Sequence, residues 1–122
     1  MPVTAAPIAA KGGFVHLGAD FRSVSAAQLR DSTMISGLLI AGAGAAGFTT
    51  VGAPVVRKLP NDGVAVILLL DGCHMAVHAF PERELLLLDI LTLATYNVSK
   101  ALDVFTRRLG VATARSEITP RG

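Results

Sequence analysis

The residue types best suited to covalent chemistry are concentrated in one segment, Asp71 to Glu82, with the sequence DGCHMAVHAFPE. It contains the only cysteine of the chain, Cys73, and two of its three histidines, His74 and His78. A cysteine thiolate is a strong nucleophile, and a nearby imidazole can remove the thiol proton. The segment therefore predicts a nucleophilic centre at Cys73 that His78 activates, provided that folding brings the two side chains together.

These residues also have ordinary structural interpretations. A lone cysteine in a globular chain is more often an inert buried residue than a reactive thiol. His74 and His78 fit either plain strand positions or metal ligands at alternate spacing. Only His16 and Cys73 are obvious further ligands of the same kind, so we expect no metal site. Glu82 lies in a short charged run after a proline, which is typical of a solvated turn.

A β-hairpin is expected to carry the segment. The dipeptide Asp71-Gly72 is typical of a tight turn, and it joins strands predicted at residues 64–70 and 74–80. Apolar patterning and turn signals predict four further strands at 14–21, 48–59, 85–93 and 111–118, and helices at 26–46 and 97–109. This order predicts an α/β (α+β) fold: a two-layer sandwich with a largely antiparallel sheet and two helices on one face.

Side chains alternate between the two faces of a strand, which places His74, His78 and Phe80 on the same face of the predicted sheet. Glu82 follows directly after the end of that strand. One face is therefore expected to present two imidazoles and an aromatic ring close to a carboxylate.

The apolar stretch at residues 32–56 has no charged side chain and is long enough to span a bilayer. Its glycines and hydroxyl residues dilute the hydrophobicity, and a charged pair directly precedes it, so we expect a helix of a globular domain and no membrane association. Gly37, Gly42 and Gly44 each cost roughly 1 kcal/mol against alanine in a helix interior. Close packing on the sheet would explain them.

Length and composition limit the remaining possibilities. With 122 residues, 52% of them hydrophobic and only 16% charged, the chain is expected to form one globular domain at 13–122 after a flexible N-terminal tail at 1–12. The net charge is +2 and the basic residues are scattered, which does not indicate nucleic-acid binding. A single cysteine excludes an intramolecular disulfide and fits a reducing, cytoplasmic location.

The segment resembles the motif Glu-Ser-His-x-x-x-His-x-Trp-Pro-Glu of bacterial S-adenosylmethionine decarboxylases. The match comprises His74, His78, Pro81 and Glu82, with Phe80 in place of the tryptophan, and weaker agreement extends over most of the chain. The resemblance implies an S-adenosylmethionine decarboxylase-like lyase of polyamine (spermidine) biosynthesis. It also implies a homodimer with active sites near the subunit interface. Members of this family cut their own chain at a serine and leave a pyruvoyl group, whose carbonyl forms a Schiff base with the substrate amine.

Carried over residue by residue, the resemblance places Cys73 at the position of the pyruvoyl-forming serine. The chain would then cleave itself between Gly72 and Cys73, with His78 at the position of the histidine that assists this processing. Glu82 corresponds to a carboxylate of the substrate pocket, and Phe80 retains an aromatic surface for the substrate.

Three chemical positions of the family pattern are changed in this chain. Cys73 replaces the pyruvoyl serine, Ala65 replaces a second processing serine, and Leu93 replaces the cysteine that protonates the decarboxylated intermediate. An acyl shift at Cys73 would give a thioester, and hydrolysis of that thioester would leave an N-terminal cysteine without a carbonyl. Because Leu93 cannot donate a proton, water or another acid must do so, and His78 is a conceivable substitute.

Two hypotheses therefore remain open on the sequence alone. In the first, the chain is a self-processed, pyruvoyl-dependent decarboxylase that acts on S-adenosylmethionine or a related amino acid. In the second, it is an unprocessed and inactive relative that binds a nucleoside-like ligand or a partner subunit.

Overall fold

The chain forms one six-stranded antiparallel sheet and three helices in a computed structural model that describes residues 13–122. The tail predicted at residues 1–12 lies outside the described part, and its flexibility stays a prediction. The elements are β1 Phe14–Phe21, α1 Ala26–Arg30, α2 Ser32–Ala46, β2 Val55–Lys58, β3 Val64–Leu69, β4 His74–Phe80, β5 Leu85–Leu93, α3 Val98–Leu109 and β6 Thr113–Arg121. The strands lie in the order β2-β3-β4-β5-β1-β6, which confirms the predicted α+β fold class.

The core lies between one face of the sheet and the helices. In β4, Met75, Val77 and Ala79 are fully buried, whereas the residues between them are only partly buried. The same alternation runs through β5, and the large buried side chains of the helix layer, such as Phe105, pack against it. Each such apolar side chain contributes roughly 1.5–3 kcal/mol when it is fully removed from water. The opposite face of the sheet, called the outer face below, is left partly exposed.

The single helix predicted at 26–46 is wrong: the structure has two helices that meet at Asp31. Asp31 has an extended backbone, and its carboxylate accepts a hydrogen bond of 3.0 Å from the Met34 amide as the N-cap of α2. Ser25 caps α1 in the same way through the Gln28 amide. Aspartate is favoured at the N-cap because its short side chain accepts a hydrogen bond from a backbone amide that has no partner within the helix. Apolar residues at helical spacing lie on both sides of Asp31, Leu29 before it and Ile35 after it, so the pattern did not show the break.

The strand predicted at 48–59 is much shorter in the structure. Only Val55–Lys58 form β2, and Thr50 makes an isolated bridge to Leu70. Between them Gly52 has a φ of 78°, a left-handed conformation that interrupts an extended strand. The last strand, predicted at 111–118, instead extends to Arg121 along the edge of the sheet.

Close packing explains one of the three helix glycines. A Cβ atom on Gly42 would lie 3.3 Å from the Phe105 ring and 3.5 Å from the Met75 methyl group, so this glycine lets α2 approach α3 and the sheet. Gly37 and Gly44 have no heavy atom within 4 Å of that position, and packing does not account for them. None of the helices in residues 13–122 combines the length and the apolar character needed to cross a membrane.

Candidate active site

Cys73 lies at the end of a tight turn between β3 and β4, as the sequence predicted. The Leu70 amide donates to the Cys73 carbonyl at 2.8 Å, and the Cys73 amide donates back to the Leu70 carbonyl at 3.3 Å. Two residues thus form the loop, and Gly72 adopts a φ of 80°, which glycine reaches without steric cost. The Gly72–Cys73 peptide bond therefore sits at the corner of a hairpin, with Gly72 exposed and Cys73 only 9% exposed.

A small cavity adjoins the cysteine side chain. It has a volume of about 10 Å³ and is lined by Cys73, Leu93, Thr92 and Tyr96, together with Phe48, Thr49, Leu70 and Asp71. The register of β4 and β5 explains why these residues meet. His74 pairs with Leu91 in this antiparallel pair, so Cys73 and Thr92, the next residue on each strand, lie side by side. The structure thus brings together the two positions, 73 and 93, that the family pattern assigns to the pyruvoyl serine and the proton donor.

His78 occupies a different region, on the outer face near the other end of β4. It pairs with Ala65 across the neighbouring strand β3 and with Leu87 across β5. Its ring stacks on Phe80 with the ring centres 6.4 Å apart and the planes inclined by 17°. The two positions that the family pattern assigns to processing, 65 and 78, are therefore directly opposite each other.

Glu82 lies next to this histidine, in a short 3₁₀ turn after β4. Its Oε1 atom accepts a hydrogen bond of 3.0 Å from the Asn61 side chain, which fixes the carboxylate although it is exposed. A cavity of about 490 Å³ opens here, lined by Leu59, Pro60, Asn61, His78, Phe80, Glu82 and Arg83. This volume falls within the usual range for small-molecule pockets, about 300–1,000 Å³.

The predicted activation of Cys73 by His78 of the same chain is not supported by the geometry. The two residues are five positions apart along extended chain, a distance of about 16 Å between their Cα atoms. Cys73 also belongs to the buried core cluster, whereas His78 lies on the outer face. A histidine must come within about 3 Å of a group to exchange a proton with it. The sequence motif is contiguous, but the structure divides its chemical positions into two groups.

The nucleophile group consists of Cys73, Thr92 and Leu93, and the pocket group consists of His78, Phe80 and Glu82. Sequence reasoning missed Thr92, Tyr96 and Asn61, which approach their groups only through strand register and through the packing of turns. Within residues 13–122, no three His, Cys, Asp or Glu side chains are arranged to hold a metal ion.

Comparisons with known proteins agree with the sequence motif. The family model described as S-adenosylmethionine decarboxylase matches residues 15–122. An S-adenosylmethionine decarboxylase proenzyme of Symbiobacterium thermophilum is 29% identical over 96 residues, which cover 78% of this chain and 72% of that protein. The proenzyme of Anoxybacillus flavithermus is 24% identical over 105 residues, covering 86% of this chain and 80% of the relative.

A solved structure shows the same fold. The crystal structure of the adenosylmethionine decarboxylase from Aquifex aeolicus superposes with a TM-score of 0.73 at 21% sequence identity, and the match covers 90% of this chain and 89% of that one. The family match spans nearly all of the described residues, and the relatives align over most of their own lengths. The chain therefore belongs to the S-adenosylmethionine decarboxylase family.

Proposed function

We propose that this protein is a self-processing decarboxylase of S-adenosylmethionine, or of a related amino acid, that acts in cytoplasmic polyamine (spermidine) biosynthesis. The observation that carries the proposal is the position of Cys73. It follows a left-handed glycine at the corner of a hairpin and shares a cavity with Leu93, the position of the family's proton donor. Cleavage would occur between Gly72 and Cys73.

The hairpin corner fits the place where a pyruvoyl group would form. Such a group, once bound at the start of the new fragment, supplies a carbonyl that withdraws electrons from the substrate. The residue present is a cysteine, so the cleavage that this chain can begin is an acyl shift to sulfur and not to oxygen. Cys73 would attack the Gly72 carbonyl, and the strand after it would hold the new N-terminus against β5.

The pocket group supplies the substrate contacts in this proposal. Phe80 and the stacked His78 present flat surfaces that suit a purine ring. The Glu82 carboxylate is held by Asn61 and carries a negative charge beside the pocket, which suits the positively charged sulfonium of the substrate. The cavity of about 490 Å³ has room for a nucleoside-sized ligand.

We further propose that the active site is completed by a second copy of the chain. One chain keeps its nucleophile group and its pocket group too far apart to act on one substrate atom. The outer face between them is rich in apolar side chains, with Ile67 41% and Leu69 51% exposed. Further half-buried apolar residues of this face are Ala65, Ala76, Phe80, Leu85, Leu87, Leu91 and Leu93, and they surround the polar His74 and Asp89. Apolar side chains grouped in this way on an open surface commonly mark an interface.

A two-fold dimer that packs these outer faces together would bury the exposed apolar side chains and would bring the two separated groups together. Two-fold contacts are reciprocal, so the nucleophile group of one chain can lie against the pocket group of its partner, and the reverse. In that arrangement the partner's His78 reaches the hairpin corner at Gly72–Cys73 from the outer face, where it can remove the Cα proton of residue 73 once the thioester has formed. The histidine of the same chain is too far away to do this. The resulting homodimer would contain two identical composite sites.

Mass spectrometry of the purified protein tests the processing step. For a pyruvoyl group to form, the thioester must lose the Cα proton of residue 73 and expel the Gly72 thiocarboxylate, and water must then replace the nitrogen of residue 73, which leaves as ammonia. Self-cleavage therefore predicts one fragment that ends with a thiocarboxylate at Gly72, and a second fragment that begins with a pyruvoyl group and reacts with a carbonyl-trapping amine. The Cys73→Ala variant, which lacks the nucleophile, is the control and should stay whole. A wild-type chain that stays whole and fails to react with the amine would contradict the proposal.

A second function is favoured by one observation, the apolar Leu93 beside Cys73. An unprocessed relative would use the pocket group to bind a nucleoside-like ligand, or the outer face to bind a partner subunit, without chemistry at Cys73. Release of carbon dioxide from S-adenosylmethionine by the pure wild-type protein would exclude this alternative. Binding of an adenosine ligand to an intact, inactive chain would favour it.

A further inference from the structure

The cavity beside Cys73 has the size of a single water molecule. Its volume of about 10 Å³ is close to the minimum of about 10–15 Å³ that one water requires, and it is too small for any substrate. A water occupies such a space only when two to four polar groups face it. Four residues of its lining carry polar groups, Thr49, Asp71, Tyr96 and Thr92, which is the number that such a water requires.

Thr92 is the strongest indication of a bound molecule. It is only 2% exposed and is the single buried polar side chain found in residues 13–122. Within those residues its hydroxyl makes no hydrogen bond to any protein group. Buried hydroxyl groups are nearly always paired with protein or with ordered water. The cavity that Thr92 lines is therefore the place where its missing partner belongs.

The same cavity is lined by the cysteine side chain, but no direct hydrogen bond joins the thiol to Thr92. A water between them would contact both. We propose that the Thr92 hydroxyl holds one water against Cys73, and that this water carries a proton during the acyl shift that begins self-processing. The inference rests on the proposed function, since it assigns a positioning residue to the cleavage proposed there.

The proton balance of the shift shows what the water would do. The sulfur of Cys73 forms a bond to the Gly72 carbonyl carbon, and the bond from that carbon to the Cys73 nitrogen breaks. The thiol loses one proton and the departing nitrogen gains one, so the products are a thioester and a free amine. A water that accepts the thiol proton and donates one to the nitrogen completes the exchange with nothing added from outside.

Hydroxylamine offers a direct test, because it cleaves a thioester and so reports the acyl shift whether or not a pyruvoyl group forms later. The full-length wild type, Thr92→Val and Thr92→Ser would be incubated with hydroxylamine and followed by intact mass. Proton transfer by a positioned group typically contributes about 100-fold or more, so Thr92→Val should cleave at least tenfold more slowly. Thr92→Ser keeps the hydroxyl and should recover to within about threefold of the wild-type rate.

Thr106→Val is the matched control, because it makes the same chemical change in α3, remote from Cys73, where the hydroxyl is paired with the Leu102 carbonyl and the Thr113 hydroxyl. It should cleave at the wild-type rate. Wild-type cleavage in Thr92→Val, or a Thr92→Ser variant as slow as Thr92→Val, would overturn the inference alone. A wild type that stays whole both with and without hydroxylamine would overturn the inference together with the processing proposal. Cleavage by hydroxylamine without any pyruvoyl product would leave the inference standing and contradict the proposed cofactor.

Discussion

The composite active site makes a prediction that two inactive chains should rescue each other. Cys73→Ala removes the proposed nucleophile, and His78→Ala removes the base that is proposed to act on the thioester of the partner chain after the acyl shift. A heterodimer of the two variants contains one site with both groups, built from Cys73 of one chain and His78 of the other. Co-expression should therefore restore self-cleavage that neither variant shows alone.

The expected amount of rescue follows from the geometry. Cys73 and His78 of one chain are about 16 Å apart along β4, so a chain cannot activate itself through its own histidine. If the variants are produced equally and pair at random, about half of the His78→Ala chains lie in heterodimers and become cleavable. The Cys73→Ala chains should stay whole. Loss of a general base typically slows a reaction by about 100-fold to 10,000-fold, so cleavage of His78→Ala alone should be negligible on the same timescale.

The assay is intact mass spectrometry of the co-purified chains, which carry different tags so that heterodimers can be isolated. His74→Ala is the matched control, since it removes another imidazole from the same face of β4, and it should cleave normally. Sedimentation must show that each variant is still a dimer. If isolated heterodimers cleave no faster than His78→Ala alone, the composite site is wrong. Normal cleavage by His78→Ala alone would also refute it.

Four further outcomes are expected. Ile67→Lys places a charge on the outer face and should convert the dimer into monomers in sedimentation experiments; a dimer unchanged by it would place the interface elsewhere. Asp31→Ala removes the N-cap of α2 and should lower the free energy of unfolding by about 1 kcal/mol in urea titrations. An unchanged urea midpoint would contradict this prediction. Gly42→Val crowds Phe105 and should destabilise the folded protein by about 1–3 kcal/mol, whereas Gly44→Ala should stabilise it by up to about 1 kcal/mol. Equal effects of the two substitutions on the free energy of unfolding would disprove the packing argument. Leu93→Cys restores a proton donor beside the nucleophile and should increase carbon dioxide release from S-adenosylmethionine, and an unchanged rate would show that position 93 does not serve this role.

Local features of the fold were predictable because short stretches of sequence encode them. The hairpin at Asp71-Gly72, the limits of β4 and β5, and the face on which His74, His78 and Phe80 lie all follow from turn chemistry and from alternation. The break at Asp31 was not predicted, because an aspartate between two segments with helical spacing looks like an exposed position of one continuous helix. The short length of β2 was not predicted, because residues typical of strands do not show that Gly52 adopts a left-handed conformation and interrupts the strand.

By itself, the sequence determined the family motif, the fold class and the place of the lone cysteine in a tight turn, because each depends on patterns among residues close together in the chain. Only the tertiary structure decided which of these residues meet. Strand pairing brings Leu93 and Thr92 to Cys73 from almost twenty positions away, and the rigid extension of β4 holds His78 apart from Cys73 although only five positions separate them. Residues that are near in sequence lie far apart along an extended strand, whereas the register of paired strands brings residues that are distant in sequence into contact.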